Sequence, residues 1–314
     1  MHGFLILDKP KGGSSSKALS PLRRTLGRTV RIGHAGTLDP FASGLLVVML
    51  GDATRLSRVV MCLEKHYIAR IQFGVETDTL DCEGKVVDQK DPGPYEPMRL
   101  LDAISKFQGT IEQMPPVYSA LKVGGRRAYR LAREGKEVLL KPRQVTIHHM
   151  AVQAVRWPVV DISVTCGSGT YIRALARDLG AALGLPAHLT ELRRLRIGPF
   201  DTDSLNALSC YEELTNENIA SRLISPGFIV GAANLPSVQL SPQRSLDFVF
   251  GKPIEMETAA INDTEEVAVM GRTNASQEPL FLGLAKNTKE GPLRSTTVLS
   301  SARSQVEEHR EETG

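Results

Sequence analysis

The sequence predicts an α+β fold, and three observations carry that expectation. Strand-like and helix-like apolar periodicities both occur, but they do not alternate in the strict βαβ order of a doubly wound sheet. Hydrophobic residues make up 41% and charged residues 23% of 314, the balance of a globular chain with a packed core. Aromatics are only 5%, so aliphatic side chains must fill most of that core.

Taken in order, Phe4 to Leu7 reads as a short buried strand that the turn Lys9-Pro10-Lys11-Gly12-Gly13 ends. Ser14 to Ser16 can cap a helix carrying Leu19, Leu22 and Leu26 at helical spacing. Gly44 to Leu50 is an unbroken apolar run, long enough for a buried strand and far too short to span a bilayer. Asp52 is expected to N-cap a helix whose inner face is Ala53, Leu56, Val60 and Leu63. Ala69, Ile71 and Phe73 alternate as a strand, as do Val160, Ile162, Val164 and Cys166. Prolines 92, 94 and 97 precede a helix with Leu100, Leu101, Ile104 and Phe107 on its inner side. A further helix places Leu175, Leu179 and Leu183 on one face, closed by Gly184 and Pro186.

Composition divides the chain. Residues 1–226 hold 30 Lys and Arg against 23 Asp and Glu, a net +7, whereas residues 227–314 hold 8 against 12, a net −4. A basic body suggests a polyanionic partner. The stretch Pro226 to Pro236, rich in Gly, Pro, Ala and Asn, marks the expected boundary. A first domain over 1–226 and a small β-rich module over 236–300 follow, the latter built from Phe248–Phe250, Val267–Met270 and Leu280–Leu284. Residues 301–314 are charged and nearly devoid of apolar residues, and are expected to be a disordered tail. The N-terminus shows no basic n-region, so no secretory signal is expected. Cys62, Cys82, Cys166 and Cys210 form no C-x-x-C pair, which favours neither zinc nor disulfides and suits a reducing cytosol.

The most unusual stretch is Gly33-His-Ala-Gly-Thr-Leu-Asp-Pro-Phe-Ala-Ser-Gly44. Pro40 holds Asp39 away from helical geometry. On residue chemistry alone, Asp39 either caps local amides in a surface turn or is a reactive group displayed beside a rigid strand. A second stretch, 120–145, carries eight basic residues against two glutamates. Lys122, Arg126, Arg127 and Arg130 lie around the Gly124-Gly125 hinge and Tyr129, a less even mixture of charge than a solvated helical face would show.

The loop Gly33-His34-Ala35-Gly36-Thr37-Leu38-Asp39-Pro40, with Ala42-Ser43-Gly44-Leu45-Leu46, resembles the signature of the bacterial tRNA pseudouridine-55 synthases, the TruB-type family. Leu7-Asp8-Lys9-Pro10-Lys11-Gly12 resembles that family's opening motif. Pro116-Val117-Tyr118-Ser119-Ala120-Leu121-Lys122 and Gly125-Arg126-Arg127-Ala128-Tyr129 resemble its RNA-gripping insertion, which implies a basic flap closing on phosphates. Gly169-Thr170-Tyr171-Ile172-Arg173 and His188-Leu189-Thr190-Glu191-Leu192-Arg193-Arg194-Leu195 resemble its later motifs. The resemblance covers about residues 4–208 and implies a largely antiparallel mixed sheet, with a PUA-like C-terminal module matched only loosely.

It implies isomerisation of the uridine at position 55 in the T loop of tRNA, without metal or organic cofactor. Asp39 is the implied catalytic carboxylate, either attacking the nucleotide covalently or removing a sugar proton. The flipped base would stack on Tyr67, within a pocket that includes Tyr171 and Leu192. Arg173 would pair with Asp39, and His34 would stack in the T loop beside the vacated position. On their own, Tyr67, Tyr171 and Leu192 would pass for core residues, Arg173 for a surface charge and His34 for a structural histidine. The implied partner is the tRNA T stem-loop, met by a cytoplasmic monomer with no guide RNA and no membrane. A guide-RNA-dependent synthase would be expected to carry a longer, more basic C-terminal module. A tRNA-folding chaperone without catalysis would have no need of Asp39 and Arg173, and an aspartate-based hydrolase would want a second carboxylate in the Asp39 loop.

Overall fold

The chain enters through β1 (Gly3–Lys9), the short helices α1 (Ser15–Ala18) and α2 (Ser20–Leu26), and the strands β2 (Ile32–Ala35) and β3 (Ser43–Leu50). A 3-10 turn (Gly51–Leu56) and α3 (Ser57–Cys62) lead to β4 (Lys65–Phe73), a hairpin of β5 (Val75–Thr77) and β6 (Val86–Gln89), α4 (Pro97–Ser105) and β7 (Gly109–Gln113). The flap follows, a hairpin of β8 (Lys122–Val123) and β9 (Arg126–Arg127) running into α5 (Ala128–Arg133). Next come β10 (Arg143–Arg156), β11 (Val159–Cys166), α6 (Ile172–Ala182), β12 (Ala187–Ile197), β13 (Phe200–Asp201) and β14 (Ala207–Ser209). The C-terminal part holds α7 (Asn216–Ser221), α8 (Phe228–Ala232), β15 (Ser237–Gln239), α9 (Pro242–Val249), β16 (Glu266–Gly271), β17 (Leu280–Thr288), β18 (Gly291–Val298) and α10 (Ser300–Glu311). This computed structural model describes residues 1–119, 121–202, 207–209, 214–255, 266–272, 279–288 and 291–311. Cys210 and residues 312–314 therefore lie outside the described residues.

Among the described residues the main sheet runs β14-β1-β3-β12-β4-β11-β10-β7, with β2 on β3 and β13 on β12. Its pairings are antiparallel except β1 with β14 and β3 with β12. The architecture is thus α+β, as expected. β3 is buried at every position, so its sequence shows no alternation. β4 alternates buried and half-buried residues along its whole length, which made it legible as a strand.

The central pairing of β3 with β12 is confined to Arg193 beside Ser43 and Arg194 beside Gly44. Gly44 has φ of +104°, and a Cβ there would lie 2.1 Å from the Arg194 carbonyl oxygen, so only glycine allows this close approach. The Asp39 loop enters the sheet at this point.

α6 packs Leu175, Leu179 and Leu183 into the core shared with β4, β11 and β12, and Gly184 ends it at φ +69°. A second apolar cluster spans both parts of the chain, joining Phe4, Val47 and Phe200 to Phe248, Val267, Leu282 and Val306. The C-terminal sheet β15-β16-β17-β18 therefore shares a core with the body.

Four local expectations are corrected. Phe248 and Val249 lie in helix α9, not in a strand, because Ser241 caps it and Pro242 starts it. Of the expected disordered tail, residues 301–311 lie in α10 instead. A lone twelve-residue helix is marginal in water; burial of Ala302 and Val306 against the C-terminal sheet holds this one. Asp52 does not cap its own helix: its carboxylate accepts from Ser300 Oγ and from Ser301 N, both at 2.7 Å, and so caps α10. Leu101 is exposed, since α4 turns Leu100 and Ile104 inward.

Candidate active site

The loop between β2 and β3 is held from beneath by buried polar side chains. Lys9, 1% exposed at the end of β1, donates to the carbonyls of Pro10 (2.8 Å), Pro40 (3.4 Å) and Ala42 (2.7 Å). Arg194, also 1% exposed, donates from Nε to Leu45 O and from Nη2 to Gly36 O, each at 2.8 Å. Ser15 Oγ accepts from Leu38 N (2.8 Å) and donates to Leu38 O (3.0 Å). A buried cation without acceptors is costly; here backbone carbonyls meet both, and the loop's shape is set in return.

Asp39 sits on this platform, with its side chain 36% exposed at the mouth of a cleft of about 280 Å³. Its Oδ2 lies 2.9 Å from Arg173 Nε. That N–H is not aligned on the carboxylate, so the contact is an ion pair rather than a well-formed hydrogen bond. Arg173, in the first turn of α6, has a side chain only 5% exposed. It donates to Thr79 O (2.7 Å) and Tyr118 O (2.9 Å), and its Nη1 is 3.3 Å from Asp81 Oδ2. Asp81 is held in turn by Thr79 Oγ1 (2.6 Å) and Glu83 N (3.0 Å), both bonded to its Oδ1. Burial pushes the Asp39 carboxyl above its ordinary pKa; the Arg173 guanidinium opposes this and the Asp81 charge adds to it. The result is a carboxylate that is poorly solvated but aimed, a suitable state for a nucleophile or base.

Tyr67, Tyr171 and Leu192 line the same cleft as Asp39 and Arg173. Tyr67 and Leu192 are buried, on the adjacent strands β4 and β12. Burial raises the phenol pKa of both Tyr67 and Tyr171, so each remains a neutral ring. The backbone of Tyr171 is bracketed by the buried Gln113 side chain, whose Oε1 accepts from Tyr171 N (2.9 Å) and whose Nε2 donates to Tyr171 O (3.1 Å). Lys65 also lines the cleft; burial, helped by Arg194, lowers it to about 8.

The other expected residues lie apart. His34, on β2, is outside this cleft lining; burial together with Arg194 and Arg23 lowers its pKa and keeps its ring neutral. Lys122, Arg126, Arg127 and Arg130 line a separate concavity with Tyr129 and Glu134. There Arg126 and Lys136 both pair with Glu134, and the guanidinium carbons of Arg130 and Arg133 lie 6.0 and 5.9 Å from the Tyr129 ring centroid.

Sequence reasoning assigned no role to Asp81, Lys9, Arg194 or Ser15. Lys9 and Arg194 fall within the recognised motifs, which was a usable signal. Asp81 lies in an ordinary turn sequence that gave none. Among the described residues no group of three or more His, Cys, Asp or Glu is arranged to hold a metal.

The N-terminal domain model of the TruB family pseudouridylate synthases matches residues 23–172, and that of the tRNA pseudouridylate synthase B C-terminal domain matches residues 173–226. The class is thus a pseudouridine synthase, an isomerase. The tRNA pseudouridine synthase B of Chromohalobacter salexigens is 38% identical over 302 residues, covering 96% of this chain and 95% of that protein. That of Aromatoleum aromaticum is 43% identical over 301 residues, 96% and 94% of the two chains. The chain belongs to the TruB family. A solved Cbf5-Nop10-Gar1 complex shares the fold with a TM-score of 0.72 at 24% identity, covering 95% of this chain and 84% of that one.

Proposed function

We propose that this enzyme converts the uridine at position 55 in the T loop of tRNA to pseudouridine, with Asp39 as the reacting carboxylate. The observation that carries the reading is the Asp39–Arg173 pair at the mouth of a cleft walled by Tyr67, Tyr171 and Leu192. The N1–C1′ bond breaks, the base turns in place, C5 bonds to C1′, and the C5 proton leaves as N1 regains one. Product and substrate have the same composition, so no oxidant, reductant or second substrate enters. Asp39 takes part either by covalent attack or by removing and returning a sugar proton.

The cleft suits one extruded nucleotide and not a duplex. Flipping costs a few kcal/mol, which stacking on Tyr67 and enclosure by Tyr171 and Leu192 would offset. A neutral His34 ring would stack where the base had been. Lys122, Arg126, Arg127 and Arg130 would hold phosphates of the T stem-loop. The enzyme acts in the cytoplasm as a monomer and selects its RNA without a guide. Relatives named for tRNA and the basic flap support this reading; in addition, no helix among the described residues is long and apolar enough to cross a membrane.

The test incubates the purified chain alone with transcribed tRNA and maps pseudouridine. Conversion at the T-loop uridine is expected. No conversion, or conversion only after a guide RNA is added, would overturn the reading.

A further inference from the structure

Three short bonds tie the flap to the catalytic cleft through one strip of chain. The Tyr118 carbonyl accepts from Arg173 Nη2 at 2.9 Å. The next carbonyl, Ser119 O, accepts from Tyr129 N of the flap helix α5 at 3.1 Å, and Leu121 O accepts from Ala128 N at 2.7 Å. Tyr118, Ser119 and Leu121 therefore share their carbonyls between the arginine that faces Asp39 and the helix that carries Tyr129 and Arg130.

The Ser119 side chain lies in the cleft wall. The residue is 4% exposed and lines the cavity with Tyr171, yet its hydroxyl has no well-formed hydrogen bond. A buried hydroxyl left without a partner is costly, which favours a bond to any polar group within its reach. Its polar neighbour is the Tyr171 phenol, on the same cavity wall and near enough for Ser119 to oppose the rise in pKa that burial causes there. Gln113 pins the Tyr171 peptide on both sides, so a small shift of Ser119 would be met by the Tyr171 ring rather than by its backbone.

Resting on the proposed uridine isomerisation, we infer that Ser119 is a positioning residue, which couples closure of the basic flap to the cleft by completing a hydrogen bond to the Tyr171 hydroxyl. Phosphates drawn to Arg130 and Arg133 would pull on Tyr129, whose ring both guanidinium groups approach. The Tyr129 N–H would pull on Ser119, and Ser119 would fix the Tyr171 ring over the extruded nucleotide. Substrate engagement at the flap would then be felt beside Asp39 without any flap cation entering the cleft.

The experiment compares wild type, Ser119→Ala, Tyr171→Phe and the double variant by single-turnover conversion of a T-stem-loop RNA and by equilibrium binding. Ser119→Ala is expected to slow conversion about five- to tenfold, one ordinary hydrogen bond's worth, with affinity unchanged to within about twofold. The double variant should be no slower than Tyr171→Phe, since both changes remove the same bond. A wild-type rate in Ser119→Ala would overturn the coupling. So would losses that multiply in the double variant, or weakened binding with full turnover at saturation, which would make the hydroxyl an RNA contact. Wild-type conversion in the same reactions reports the isomerase reading separately. If wild type fails to convert, that reading falls and the coupling with it; if wild type converts and Ser119→Ala matches it, the coupling alone falls.

Discussion

The Asp39 cleft and the basic flap both depend on arginine, but they place it in opposite surroundings. The Arg173 side chain is 5% exposed and is met by two carboxylates and two carbonyls. Arg126 is 47% exposed and pairs with Glu134, itself 42% exposed. A buried cation left without partners is strongly destabilising, so the folded state holds its partners in place around it. An exposed pair contributes little to folding and is readily exchanged for a phosphate. On the proposed function the cleft would serve chemistry and the flap mainly affinity, and the two can be perturbed separately.

The largest expected effect is that of Arg173→Ala, which leaves Asp39 and Asp81 facing each other without their shared cation. Removing one partner of a buried ion pair costs about 3–5 kcal/mol, and denaturant unfolding should show a loss of that order together with loss of turnover. Arg173→Lys should recover part of the stability, but a point charge cannot serve four acceptors at once. Unchanged stability in Arg173→Ala would mean that the cleft is no more preorganised than the flap.

Replacing Arg126, Arg127 and Arg130 with Ala should leave folding nearly unaltered and weaken RNA binding in a salt-dependent way. Each lost phosphate contact flattens the slope of log K against log salt by roughly 0.7–0.9, about two to three units in all. Conversion at saturating RNA should persist, slowed by no more than the roughly five- to tenfold expected for Ser119→Ala. An unchanged slope would remove the flap from the binding surface.

The smallest expected effect is the pH dependence contributed by the cleft carboxylate. Burial raises the Asp39 pKa, so the folded state holds its proton more tightly than the unfolded chain. Stability from this site is thus greatest below the ordinary carboxylate range and falls as pH rises through the raised value. Asp39→Asn should gain stability relative to wild type across that window, read by melting at a series of pH values. The acid limb of wild-type single-turnover conversion should also lie above the ordinary aspartate value. A constant difference between variant and wild type would show that the carboxyl is not desolvated.

The two regions also differ in what their sequence disclosed. The flap's excess of cations was visible from composition, while its role came from the family resemblance. The frame of the cleft was visible where burial imposes a pattern: the unbroken Gly44–Leu50 run, and the Leu175, Leu179, Leu183 face closed by Gly184. The supporting charges were hidden, because Lys9 and Arg194 look like surface residues until tertiary folding brings carbonyls to them. Asp81 reaches Arg173 from the turn between β5 and β6, a contact that no local spacing encodes. The C-terminal helix was missed for a related reason. Ala302 and Val306 are too few to outweigh their charged neighbours, and the carboxylate that caps the helix, Asp52, lies far away in the chain.

The division between chemistry and affinity is tested most directly by Asp39→Asn, with tRNA affinity and pseudouridine formation measured side by side and Asp39→Glu as the geometry control. Asparagine keeps the size of the side chain and Arg173 keeps Asp81, so the cleft should hold its shape. Affinity nearly equal to wild type, or slightly tighter for want of one negative charge beside the RNA, with no detectable conversion, is the expected result. Wild-type turnover in Asp39→Asn, or binding and turnover lost in equal measure, would contradict it.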